Sequence, residues 1–160
     1  MLKGIQNIAL KNLIKNYSNN AATNFVNWDK ITSILLLIDS NEINKNELDK
    51  YLKSSQKHIE IIYFELKAKD PKFKDFKTIT NKDVNLLKLP KNKLNGNYDL
   101  IINCCSNTNN CAIAFSIQTK AKLKCAFFDF EKVYNLVLQP KNNLIENLKE
   151  AEHYLNMIKN

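Results

Sequence analysis

The sequence predicts a single three-layer α/β domain, with a mostly parallel sheet of about five strands, an N-terminal amphipathic helix and a C-terminal helix. Three observations carry this. Blunt apolar runs such as "ITSILLLID" (Ile31–Asp39) and "YDLIINCC" (Tyr98–Cys105) recur through the sequence, and short runs of that kind belong to strands covered on both faces. Segments with helical apolar spacing separate them, the alternation that lays strands side by side in parallel. The 160 residues, 44% of them apolar, suffice for one core and not comfortably for two.

The first segment puts Leu2, Ile5, Ala9 and Leu13 at helical spacing, with Lys3, Lys11 and Lys15 elsewhere around the wheel. An amphipathic basic helix is therefore expected within residues 1–22, ending near the Ser18 to Asn20 cluster, ahead of an α/β domain over 28–160. After the first strand, Asn44 is an N-cap and Glu47, three residues on, completes a capping-box pattern for a crossover helix. "HIEIIYFEL" (His58–Leu66) is the second strand, and strand, helix, strand at this length implies a right-handed parallel crossover. Between Lys67 and Asn97, "FKTIT" reads as a short extension, "NKDVNLLKLP" as a helical turn stopped by Pro90, and "NGNY" as a turn for which Gly96 supplies permissive backbone. "YDLIINCC" is the third strand and "NNCAIAFSIQTKA" the helix after it. "KLKCAFF" and "YNLVLQ" are two further short strands, and "NNLIENLKEAEHYLNMI" is a closing helix with Leu144, Leu148, Ala151, Leu155 and Ile158 on one face.

The formal charge is +8 and every one of the 24 basic residues is lysine. Such a balance attracts polyanions, but lysine is a hydrated point charge and lacks the planar fork that reads phosphate or guanine bidentately. An excess of asparagine beside only two glycines, Gly4 and Gly96, fits an AT-rich genome, which weakens any inference from lysine numbers. The N-terminus lacks the apolar core and cleavage site of a secretory signal, and no run approaches the roughly 20 apolar residues of a membrane span. The four cysteines all fall in the second half of the sequence and do not form a secreted disulfide pattern, so a reducing cytoplasm is expected.

"INCCSNTNNCAIAF" (Ile102–Phe115) is the stretch richest in chemistry. In a parallel sheet, ligands sit beyond the carboxyl ends of the strands, which places Asn103, Ser106, Asn107, Thr108 and Asn109 there. Asp39 at the end of the first strand and Asp129 after the fourth join them as a candidate ligand-binding set. The turn has no glycine, and neither G-x-G-x-x-G nor a Walker A sequence occurs, so neither nucleotide-binding loop is present and no cofactor is expected. A ligand there would be rich in hydroxyl or amide groups. The plain alternative is that the cluster only forms the turn and caps the next helix, with Asp39 in ordinary turn chemistry.

A metal site is not expected. Cys104 and Cys105 are adjacent and point to opposite faces of a strand, and His58 and His153 bring no second-ligand pattern. Cys111 is the candidate reactive thiol, since the first turn of a helix can lower a thiol pKa; small apolar packing is the commoner job of such a residue. No pair of acids has a spacing that identifies general acid/base work.

From Lys67 to Lys93 there are nine lysines against Asp70, Asp75 and Asp83, with phenylalanines interleaved in "DPKFKDFK". Lys67, Lys69, Lys72, Phe73, Lys74, Phe76 and Lys77 are therefore candidate contacts for an acidic protein or RNA, against the default of a solvated lysine-rich loop. The N-terminal helix has no acid before Asp29, a pattern of interfacial helices, though packing against the domain is preferred to membrane contact. These patterns favour a non-catalytic binding or accessory protein. The alternative is a transferase-like or hydrolase-like enzyme acting on a polar small molecule, such as a sugar derivative, in the strand-end crevice.

Taken together, the basic N-terminal helix, "KITSILLLIDS", "NYDLIINCC", "KAKLKCAFF" and the final "NLIENLKEAEHYLNMI" resemble a family of small uncharacterised α/β proteins from Bacteroidota, over Leu2 to Ile158. The resemblance implies a cytoplasmic protein with a Rossmann-like or flavodoxin-like layer arrangement. It brings no activity and no catalytic residue.

Overall fold

A computed structural model of the protein, which describes residues 2–17, 25–39, 43–67 and 72–159, is built on one sheet of six strands. The elements run α1 (Leu2–Tyr17), β1 (Ser33–Ile38), α2 (Lys45–Ser55), β2 (His58–Glu65), β3 (Lys77–Thr80), β4 (Asn97–Asn103), α3 (Asn110–Gln118), β5 (Lys120–Ala126), β6 (Leu136–Val137) and α4 (Leu144–Asn156), with a 3-10 turn at Trp28–Lys30. The strand order is β3-β2-β1-β4-β5-β6 and every neighbouring pair is parallel. The expected "FKTIT" extension is the sixth strand, β3, on one edge of the sheet.

Each central strand is buried on both faces, so its alternate residues serve two cores. Ile34, Leu36, Ile38, Tyr63, Leu100 and Ile102 meet Leu48 of α2 and Leu148, Ala151 and Leu155 of α4 on one face. On the other, Leu35, Leu37, Ile62, Phe64 and Ile101 meet Cys111, Ala112 and Phe115 of α3. This two-sided burial is why the strands read as unbroken apolar runs. The asparagine excess is put to local use: Asn44, Asn109 and Asn143 cap α2, α3 and α4, each accepting a backbone N–H of the first turn at 3.3, 3.0 and 2.9 Å.

The N-terminal helix belongs to the outer layer. It lies along α3 with Leu10 fully buried among Ile113, Ala114 and Ile117, and Asn110 Nδ2 donates to buried Gln6 Oε1 at 3.2 Å. It is longer than its partner, 16 residues against 9, and Leu2, Ile5 and Ile8 remain exposed. The Ser18 to Asn20 cluster lies outside the described residues.

Two local expectations are corrected. "NKDVNLLKLP" is not helical: Asp83 accepts from the N–H and hydroxyl of Thr80, and Asn85 Oδ1 accepts from the N–H groups of Leu87 and Leu89 at 2.9 and 3.1 Å. These side chains offer the backbone partners a helix would otherwise supply, and Lys88 turns through φ 59° to let Val84 bridge to Pro90. Gly96 adopts no positive φ; it is small because a Cβ there would lie 2.5 Å from the Tyr98 ring, whose hydroxyl bonds to Glu60.

Candidate functional site

Strand order 3-2-1-4-5-6 reverses direction between β1 and β4, and the exits of these two strands bound a crevice at that reversal. Cys104 N–H donates to Leu37 O at 2.9 Å, which holds the exit of β4 beside β1. Just beyond, Ser106 N–H donates to both oxygens of Asp39, at 3.1 and 3.0 Å, and Asn109 Nδ2 donates to Asp39 Oδ2 at 3.0 Å. The other end of the Asn109 amide caps α3 through Ala112 N–H. The Ser106 and Thr108 hydroxyls bond to each other at 2.8 Å. One carboxylate thereby fixes the turn, the helix start and the end of β1.

Between this turn and the end of β2 opens a cleft of about 570 Å³ whose described walls are Asp39, Phe64, Glu65, Leu66, Lys67, Thr108 and Asn109. Of the expected set, Asp39, Thr108 and Asn109 meet here, with Ser106 braced behind them; Asn107 is exposed on the turn and is not among the walls. Phe64, Glu65, Leu66 and Lys67 were not expected as a ligand wall. The signal was available, because β2 pairs with β1 through Ile38 and Tyr63 and so delivers its own carboxyl end to the same edge.

Two expected members do not join. Asp129 is exposed in the loop beyond β5, away from the walls of the cleft. Asn103 is fully buried: Nδ2 donates to the Tyr134 hydroxyl at 2.6 Å, Oδ1 accepts Cys105 N–H at 3.0 Å, and the Tyr134 hydroxyl donates onward to Ser116 Oγ at 3.3 Å. It is a buried polar tie between β4 and the segment after β5. Tyr134→Phe should leave the Asn103 amide without its acceptor and cost about 1–3 kcal/mol in urea unfolding, with little change in the folded spectrum.

Beside this tie lies a lysine that its sequence context does not single out. Lys124 of β5 is only 3% exposed, and its Nζ donates to the carbonyls of Ser116 and Ile117 at 2.5 and 3.5 Å, at the end of α3. Burial pushes its pKa down to about 8. The only hint was a lysine among apolar neighbours in "KLKCA".

The thiols are corrected in direction. Cys111 is fully buried, and burial pushes its pKa up to about 12, against the lowering that the helix start would bring. Burial likewise raises Cys104, Cys105 and Cys125. Iodoacetamide should label Cys105, Cys111 and Cys125 slowly in folded protein and at ordinary thiol rates after unfolding, as read by mass spectrometry. Among the described residues, no three His, Cys, Asp or Glu side chains gather to hold a metal ion, and no helix is long and apolar enough to cross a membrane.

In the lysine-rich segment, Lys67, Lys72, Lys74, Lys77, Lys82, Lys88, Lys91 and Lys93 are all exposed, while Lys69 lies outside the described residues. Of the described acids there, Asp75 pairs with Lys45 at 3.2 Å and Asp83 turns in to Thr80, while Asp70 lies outside the described residues. Phe73 and Phe76 are half-buried. Phe73 stands edge-on to Tyr63 with 5.1 Å between ring centres, Lys72 sits 5.4 Å over Phe73, and Lys45 sits 5.7 Å over Phe76. The rings close the core under β3 and do not form an open stacking platform.

An all-parallel sheet in this strand order, with helices on both faces and a polar cleft at the reversal, defines a doubly wound α/β protein of the Rossmann-like class; the flavodoxin-like order is not the one adopted. It departs from that class where β2, β3 and β4 follow one another without crossover helices among the described residues. The protein belongs to a family of unknown function (DUF6913), whose model matches residues 4–158. No curated protein and no solved structure matches it.

Proposed function

We propose that this is a non-catalytic binding or accessory protein of the cytoplasm, of Bacteroidota origin, whose lysine face from Lys67 to Lys93 docks on an acidic partner protein. The observation that carries this is eight exposed lysines set against two described acids, Asp75, which is paired with Lys45, and Asp83, which turns in to Thr80, so positive charge predominates on the segment. Two features favour a protein over RNA as the partner. Phe73 and Phe76 are half-buried against the core and offer no open stacking platform, and the absence of arginine removes bidentate phosphate recognition.

The test compares tagged wild-type protein with the triple variant Lys72→Glu, Lys74→Glu, Lys77→Glu, each isolated from its own cells with and without ribonuclease. A protein partner retained at about 0.15 M salt, released near 1 M, unaffected by ribonuclease and absent from the variant is the expected result. Loss on ribonuclease treatment would make the partner RNA. A variant that retains every partner would end the reading. The second reading, catalysis on a polar small molecule in the cleft, would rest on Asp39, Glu65 and Lys67 among its described walls, of which Asp39 is already bonded by Ser106 and Asn109.

A further inference from the structure

We propose that the cleft between the Ser106 to Asn109 turn and the end of β2 binds a small, unphosphorylated, hydroxyl-rich molecule of the sugar or polyol class, at a site that shares only Lys67 with the lysine face. Its volume of about 570 Å³ lies within the range of about 300–1,000 Å³ typical of small-molecule sites, and it sits at the reversal of strand order where such folds take ligands.

The class of ligand follows from what the turn has already bound. The start of a helix beside a strand end is ordinarily an anion site, because its N–H groups have no other partner. Here Ser106 N–H is held by Asp39, Asn110 N–H by Thr108 O at 3.1 Å, and Ala112 N–H by the Asn109 amide. The protein's own carboxylate fills the place of a bound anion, so an incoming phosphate would meet the negative charge of Asp39, with Glu65 beside it, against the single cationic side chain of Lys67 among the described walls. An apolar guest is equally unsuited, because it would strip water from Asp39 and Lys67 without replacing the lost bonds.

What remains is a mixed inventory. Among the described residues two donors reach the Asp39 oxygens, Ser106 N–H shared between both and Asn109 Nδ2 on Oδ2, where a carboxylate offers about four lone-pair positions, so it can also accept a hydroxyl hydrogen. The Thr108 hydroxyl both donates and accepts, and Lys67 donates. Phe64 and Leu66 supply an apolar wall for the C–H groups of a ring or an open carbon skeleton. Alternating hydroxyl and C–H edges are what a sugar or polyol presents.

The experiment is amide chemical-shift titration of the intact protein with glucose, ribose, myo-inositol and sorbitol, set beside glucose 6-phosphate and inorganic phosphate. At least one of the four polyols should move the Lys67, Thr108 and Asn109 amides saturably, inorganic phosphate should not, and the phosphorylated sugar should bind at least about tenfold more weakly than glucose. Asp39→Asn should weaken the polyol about tenfold, through loss of a charged acceptor. Because Asp39 also braces the turn, Leu66→Trp serves as a second variant that fills the cleft without touching those bonds, and it should abolish the shifts. The proposal is overturned if none of the four polyols moves these amides, if phosphate moves them as the polyols do, or if Leu66→Trp leaves binding intact.

Discussion

Asp99→Asn should cost about 3 kcal/mol of stability at pH 7, the largest single loss expected of a side chain outside the apolar cores. Asp99 is the third residue of β4, toward the end of the strands opposite the cleft, and is 8% exposed. Its Oδ2 accepts from the N–H and hydroxyl of Thr32, both at 2.8 Å, and from the N–H and hydroxyl of Ser33 at 3.1 and 3.3 Å; Lys122 of β5 pairs with Oδ1 at 2.7 Å. One carboxylate therefore ties the starts of three adjacent strands, and an amide would turn two hydrogens toward groups that are themselves donors. Burial by itself would raise the carboxyl pKa, but Lys122 and the Thr32 and Ser33 donors outweigh it and hold the group well below the usual carboxylate range. The folded state thus binds fewer protons than the unfolded state. The contribution is complete above the unfolded value of about 4 and fades as pH falls below it. Urea unfolding of wild type and variant should show a wide gap at pH 7 that narrows at pH 3; a gap that does not narrow would place the cost in packing and not in charge.

Lys124→Met should produce a difference of opposite pH sign. In the unfolded protein this lysine keeps its proton to about pH 10, whereas burial brings the folded value down to about 8. Between those limits the unfolded state binds more protons, so wild-type stability rises with pH relative to a variant that has no proton to lose. The gain between pH 7 and pH 10 is expected to be about 3 kcal/mol at most. At pH 7 the two should be similar, since methionine removes a buried charge but leaves the Ser116 and Ile117 carbonyls short of a donor. The stability difference against pH, measured by denaturant unfolding, checks this, and a flat difference would show that Lys124 is solvated in the folded protein.

The sheet was legible in the sequence because burial on two faces writes itself as runs such as "SILLLI" and "NYDLIIN". It faded where strands are short or turns are made by side chains: β6 has two residues, and the Asn85 turn imitated a helix because its leucines fall at helix-like spacing. The candidate site was legible only as far as strand ends go. Asp39 and the Ser106 to Asn109 turn follow from the rule that ligands sit beyond carboxyl ends. Whether a residue at a strand end looks outward or inward is set by partners far away in sequence, which is why Asn103, claimed by Tyr134, read as a ligand contact. For the same reason Lys124 looked like any other lysine, since nothing local to "KLKCA" reveals that the end of α3 closes over it.

The docking of α1 on α3 also bears on how the protein reaches its fold. The Asn110 to Gln6 hydrogen bond spans 104 residues, so α1 is made well before the helix it docks on. β1 is in the same position toward β4, beside which it sits at the centre of the sheet. Contacts that close such long loops form late and slowly. During synthesis, the apolar side of α1 that carries Leu10 and Leu13 therefore stays uncovered while most of the protein is assembled, which makes the nascent polypeptide the form most open to aggregation and most in need of a chaperone.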